Sequence, residues 1–125
     1  MQGGDLKKFL SVMNNSNQKQ SYAQNLSIAI KIVSAMAHLE KNGIVHRDLA
    51  ARNILVGQSI DVVKLADFGL ARCLDDSLYY KNNKGGIPYK WTAPEALLIS
   101  GKSTSASDVW SFAVVLWEVY SRGAV

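Results

Sequence analysis

The sequence predicts a mainly α-helical chain with small β-hairpins. Three observations carry that expectation: apolar residues at helical spacing around 26–39 and 109–120, short β-branched runs between them, and a long polar stretch with neither pattern. With 125 residues, 48% of them hydrophobic, the chain reads as one domain or part of one, not as a disordered or low-complexity segment.

The elements follow in order. Positions 5–13 read as a short helix and 14–20 as a polar loop. Ser21 and Gln24 have the spacing of a capping box, in which each side chain satisfies a free N–H of the first helical turn. Behind it, Leu26, Ala29, Ile30, Val33 and Ala37 form one apolar stripe, and Ile28, Ile32, Met36 and Leu39 form a second. Two stripes predict a helix buried on both faces. Asn42-Gly43 ends it with a residue suited to the left-handed conformation. Ile44-Val45, 54–56 and 62–65 then read as small strands, the last two joined through a loop containing Gly57. Positions 67–91 read as one long irregular region, a length that points to function or disorder. Pro94 opens a short helix through 98. Ser105 and Asp108 form a second capping-box pattern ahead of a very hydrophobic helix over 109–120, ended by Gly123.

Composition narrows the possibilities. Charged residues are 19%, below the usual value of about 25%, which predicts surface to be covered by something outside this chain. Cys73 is the lone cysteine, so an intramolecular disulfide framework and a multi-thiolate metal site are excluded, and a reducing, intracellular setting fits best. The net charge of +4 is spread thinly, with Lys81, Lys84 and Lys90 as its densest cluster, so no nucleic-acid partner is expected. No apolar run follows Met1, and the apolar stretch 109–120 is broken by Ser111 and Glu118, so neither a signal peptide nor a membrane segment is expected. Both ends read as cuts in a longer chain.

The chemistry concentrates in two places. His46-Arg47-Asp48 and Arg52-Asn53 bring a carboxylate, a guanidinium and an amide close together between candidate strands, and Asp67-Phe68-Gly69 adds a second carboxylate on a turn. One acid to orient a hydroxyl, plus an Asp/Asn pair of hard oxygen ligands, is what Mg²⁺-assisted phosphoryl transfer requires. A glycosidase-type carboxylate pair is the rival chemistry, and it leaves Arg52 and Asn53 without roles.

His46-Arg47-Asp48 with Asn53, then Asp67-Phe68-Gly69, then Ala93-Pro94-Glu95, resemble the protein-kinase signature set in order and spacing, with Asp108-Val109-Trp110-Ser111-Phe112 behind them. The resemblance covers essentially the whole chain and implies a partial kinase-like C-lobe at 1–125, with the N-lobe and the late C-terminal helices outside it. It implies ATP and Mg²⁺ as cofactors and tyrosine-bearing proteins as substrates. Asp48 resembles the catalytic base, and Asn53 and Asp67 the metal ligands. Leu55 resembles the floor of the adenine pocket. His46 and Phe68 resemble two members of a stacked apolar column, and Asp108 its anchor, accepting from the backbone of the catalytic loop. Glu95 resembles a glutamate that pairs with a late arginine.

Tyrosine specificity rests on the same resemblance. Ala50 stands where serine/threonine kinases usually carry Lys, and Arg52 resembles the tyrosine-kinase replacement. The order Leu49-Ala50-Ala51-Arg52-Asn53 is common in receptor-type tyrosine kinases, which allows a transmembrane-receptor parent. Pro88, Lys90 and Trp91 lie in a stretch that resembles the substrate platform, where Pro88 offers a flat face for a tyrosine ring. Tyr79 and Tyr80 fall in the apparent activation segment, and Arg47 is placed to pair with phosphate added to them. Ala113 departs from the family's usual Gly, a methyl that could crowd a close contact, with little effect on activity expected. The rival of another class is a pseudokinase, a scaffold that keeps the fold without the chemistry.

Overall fold

A computed structural model of the chain describes residues 4–15, 21–57, 62–66, 72–73, 80–81, 89–99 and 102–121, of which 72–73, 80–81, 89, 98–99 and 102 by backbone alone. Helix α1 (Leu6–Asn15) is capped by Asp5, whose Oδ1 accepts from Lys8 N at 2.8 Å, and it runs two residues past the expected end. Its buried face is the i, i+4 pair Leu6 and Leu10. Helix α2 (Tyr22–Lys41) begins at the expected capping box: Gln24 N donates to Ser21 Oγ at 3.1 Å and Ser21 N to Gln24 Oε1 at 2.9 Å. Past its end, Gly43 sits at φ 68, the left-handed conformation that stops the helix without a Cβ clash.

Among the described residues the strands make three two-stranded antiparallel ladders. Strand β1 (Ile44–Val45) pairs with β4 (Arg72–Cys73), β2 (Ile54–Val56) with β3 (Val63–Leu65), and β5 (Tyr80–Lys81) with β6 (Lys102–Ser103). Only β2–β3 is the local hairpin the sequence predicts. Val62 lies just outside β3 but its carbonyl accepts from Gly57 N at 2.9 Å, closing the turn. The stretch 67–91, expected to be irregular, contains β4, β5 and a 3-10 turn, Tyr89–Trp91. Their partners are remote in sequence, at 44–45 and 102–103, so no local period announces them. The helix expected from Pro94 is one turn of π-helix, Glu95–Ile99.

Helix α3 (Ser105–Tyr120) starts four residues before the apolar run. Its capping box is Thr104 with Ser107, not Ser105 with Asp108: Thr104 N donates to Ser107 Oγ at 2.8 Å, and Ser107 N to Thr104 Oγ1 at 3.3 Å. Asp108 cannot cap, because its carboxylate is engaged elsewhere. The helix is also turned inside out. Its buried residues are Ser107, Asp108, Ser111, Val115, Glu118 and Val119, whereas Trp117 is 63% and Val109 59% exposed. Ala113 is exposed as well, so its extra methyl crowds nothing.

The core gathers Leu6 and Leu10 of α1, Ile28 and Ile32 of α2, Leu49, Ile54 and Val56 around β2, and Val115 and Val119 of α3. The expectation of an α2 buried on both faces is corrected here. Its Ile28/Ile32 stripe is buried, but Leu26, Ile30 and Val33 of the other stripe are exposed and line an apolar groove with Phe112, Leu116 and Tyr120 of α3. Among the described residues only one side of α2 meets the core. An exposed apolar surface of this kind favours association. Expressed by itself, the 125-residue chain is therefore expected to be poorly soluble and to melt without a sharp transition. Size-exclusion chromatography and thermal circular dichroism check this, and a soluble monomer with a cooperative transition contradicts it.

Candidate active site

The segment 46–53 is strung between β1 and β2 and closes in a 3-10 turn, Ala51–Asn53. Its backbone is held mainly by side chains. His46 N donates to Asp108 Oδ2 at 2.8 Å and Arg47 N to Asp108 Oδ1 at 3.1 Å. These two bonds hold Arg47 at φ 73, a left-handed conformation that costs a non-glycine residue about 1–2 kcal/mol. Burial pushes the Asp108 carboxyl above its usual value, against the pull of the two N–H donors. Asp108 thus ties α3 to the backbone of residues 46 and 47.

His46 is a buried hydrogen-bonding hub. Its Nδ1 accepts from Asp48 N at 3.1 Å, which leaves the proton on Nε2, 2.8 Å from the carbonyl of Ala66. The ring is buried and fixes the Asp48 backbone on one side and the end of the β2–β3 hairpin on the other. Asp48 is held at two further points: Arg52 Nη2 meets Oδ1 at 2.7 Å, and Asn53 Nδ2 donates to the Asp48 carbonyl at 2.7 Å. A carbonyl can only accept, so Nδ2 faces it and Oδ1 of Asn53 is left as the metal-capable atom. Ala66 N donates to the Asn53 carbonyl at 2.8 Å, which ties the residue before Asp67 to Asn53.

Arg52 is also stacked on Trp91, its guanidinium carbon 4.5 Å from the ring centroid. Such a contact contributes about 0.5–2 kcal/mol and, here, orients the fork that grips Asp48. Trp91 is itself pinned by α3: its Nε1 donates to Glu118 Oε1 at 2.8 Å, and its carbonyl accepts from Ser111 Oγ at 2.5 Å. Ala51 N donates to the same Glu118 oxygen at 2.9 Å. Glu118 is the residue that sequence reasoning missed. Its signal was a carboxylate inside an apolar run, on the face shared with Ser111 and Val115.

The remaining predicted residues distribute as follows. Leu55 is half-buried on β2, opposite Lys64 and bridged to Asp5. Lys90 and Glu95 are exposed. Asp67, Phe68, Tyr79 and Pro88 lie outside the described residues, as does the side chain of Tyr80. Among the described residues no three His, Cys, Asp or Glu side chains cluster. The Asn53 and Asp67 oxygens that the resemblance implies as ligands would suit Mg²⁺, which keeps water and phosphate in most of its coordination sphere.

Residues 1–125 match the family model described as protein tyrosine and serine/threonine kinase. The chain belongs to the protein kinases. It is 47% identical over 126 residues to the tyrosine-protein kinase transmembrane receptor Ror of Drosophila melanogaster, covering 98% of this chain and 18% of that protein. Protein-tyrosine kinase 6 of Homo sapiens is 45% identical over 117 residues, covering 93% of this chain and 25% of that kinase. Tyrosine-protein kinase Fer of Homo sapiens is 42% identical over 121 residues, covering 97% and 14%. The chain therefore spans a quarter or less of the length of these kinases. ATP and Mg²⁺ are the usual reaction components of the kinase family, and the mainly helical architecture with small ladders agrees with the expected partial C-lobe.

Proposed function

We propose that the protein carrying this chain transfers the γ-phosphate of ATP to tyrosine hydroxyls of protein substrates, and that 1–125 is the C-lobe part of its kinase domain. The observation that carries this reading is Asp48 gripped by Arg52, which is stacked in turn on Trp91. That chain of contacts ties the proposed base to the proposed substrate platform. With Oδ1 of Asp48 engaged by Arg52, Oδ2 is the oxygen that orients the substrate hydroxyl and accepts its proton. Asn53, through Oδ1, and Asp67 would hold Mg²⁺, which neutralises phosphate charge when bound. Leu55 floors the adenine site. Pro88, Lys90 and Trp91 carry the incoming peptide, with His46, Phe68, Glu95 and Asp108 as structural supports.

Regulation follows from the same placement. Arg47 and Ser103 line one small cavity, and Tyr80 pairs with Ser103 across β5–β6, so the β5 backbone at Tyr80 runs near Arg47. Phosphate on either tyrosine adds about −1.5 to −2 charge, which a guanidinium binds through two parallel bonds. No helix among the described residues is long and apolar enough to cross a membrane, and one relative is named as a transmembrane receptor. We place the chain on the cytoplasmic side, where ATP is supplied. The scaffold alternative gains no support, because Asp48 and Asn53 are both in place.

One experiment tests the reading. The full protein is incubated with ATP, Mg²⁺ and a tyrosine peptide, and phosphorylated sites are mapped by mass spectrometry. Transfer to tyrosine, including Tyr79 and Tyr80, is expected. In Asp67→Ala transfer is lost and Mg²⁺ no longer strengthens nucleotide binding, while a phosphate-free adenine analogue still binds. Transfer confined to serine and threonine contradicts the tyrosine assignment. Undiminished Mg²⁺ dependence in Asp67→Ala contradicts the metal assignment.

A further inference from the structure

We propose that Glu118 is a positioning residue for substrate tyrosine, setting the platform against the catalytic loop through a single carboxylate oxygen. This deepens the phosphotransfer reading and rests on it. Glu118 is 1% exposed on the inward face of α3, and the salt bridge found among the described residues, Arg52–Asp48, does not involve it. A carboxylate taken out of water without a cation needs strong donors. Its donors come from two parts of the chain that share no element: Ala51 N of the catalytic loop, at 2.9 Å, and Trp91 Nε1 of the platform, at 2.8 Å.

Both donors meet Oε1. The two nitrogens are therefore held within two hydrogen-bond lengths of each other around one atom. Trp91 cannot shift without leaving Oε1, and its ring is the surface on which Arg52 stacks. Arg52 in turn fixes Asp48. A bond made on α3 thus sets how far the platform stands from the base, the distance that a tyrosine ring has to fill. An apolar residue at 118 could pack against α3's neighbours but could not register the two segments.

The test uses the full protein and four variants: Trp91→Phe, Glu118→Ala, Glu118→Gln and the Trp91→Phe/Glu118→Ala double. Trp91→Phe keeps a ring for Arg52 and deletes the donor. Steady-state KM is measured for peptide and for ATP, together with the affinity of a fluorescent tyrosine peptide in the presence of a non-hydrolysable ATP analogue. Losing this bond is expected to raise peptide KM and Kd roughly 3–10-fold in Trp91→Phe, while ATP KM changes less than about twofold. Glu118→Ala does the same, and Glu118→Gln, which keeps an acceptor oxygen in place, recovers most of the loss. The double variant is no worse on peptide than Glu118→Ala. A role in stability alone lowers the folded fraction, and hence Vmax, without moving peptide KM or Kd. Unchanged peptide KM and Kd in folded Trp91→Phe, or additive losses in the double variant, overturn the proposal. If the wild type turns over no tyrosine substrate, the functional reading has failed, and the peptide Kd series still decides the role of Glu118.

Discussion

Asp48→Asn in the full-length kinase is expected to lower kcat by about 100-fold or more, the scale of general-base effects, or at least ~2.7 kcal/mol of transition-state stabilisation. The surroundings argue for a clean result. An Asn oxygen can still accept from Arg52, and the two backbone contacts of residue 48, to His46 Nδ1 and from Asn53 Nδ2, do not involve the substituted group. What is lost is the charge and the basicity of the second oxygen. ATP KM should therefore change little, and steady-state kinetics with ATP and peptide varied separately measures both. Wild-type turnover in the variant would remove Asp48 from the role of base.

The second large effect is expected at Asp108. Asp108→Ala removes the acceptor of two backbone donors, one of them buried, and with it the two bonds that hold Arg47 at positive φ. Bonds to a charged acceptor contribute about 1.5–3 kcal/mol each, partly offset by the relieved burial of the carboxylate, so a net loss of roughly 2–4 kcal/mol is expected. That is a large share of a domain's ~5–15 kcal/mol. The pH dependence has a definite sign. Burial raises the folded-state value of Asp108 above its unfolded value, so the native state binds this proton more tightly than the unfolded chain. The cost of ionised Asp108 is absent below the unfolded value and complete above the folded one. As pH falls from neutral toward 3.8, the ordinary aspartate value, the wild type should gain stability relative to Asp108→Asn. Unfolding midpoints of the two proteins across that range check it. A wild type that instead loses stability relative to the variant on acidification would mean that the two N–H bonds outweigh burial.

Local chemistry was legible in the sequence, and long-range chemistry was not. The Ser21/Gln24 box and the Gly43 stop were readable because each depends on neighbours a few residues away. The start of α3 was misread because Ser105/Asp108 has the same spacing as a capping box, and nothing in the spacing tells that Asp108 reaches back to residues 46 and 47. Strands β4 and β5 escaped because each pairs with a remote partner. At the site, resemblance supplied Asp48, Asn53 and Asp108, but not the tautomer of His46 or the stacking of Arg52 on Trp91. Glu118 escaped entirely. A charged residue in an apolar run reads as an interruption until the donors at 51 and 91 are known.

The inside-out helix α3 has a consequence for amide exchange with solvent water. Slow exchange usually marks helices and strands, whose amides must break a ladder before they meet water. Between β1 and the 3-10 turn, the amides of His46, Arg47, Asp48 and Ala51 have side-chain acceptors instead: Asp108, His46 and Glu118. Three of those four bonds end on α3. The protection of this loop is thus set by how α3 sits, and deuterium uptake at 46, 47 and 51 reports the docking of that helix. A shift of α3 by the length of a hydrogen bond would open the loop to exchange while the β2–β3 ladder kept its own bonds.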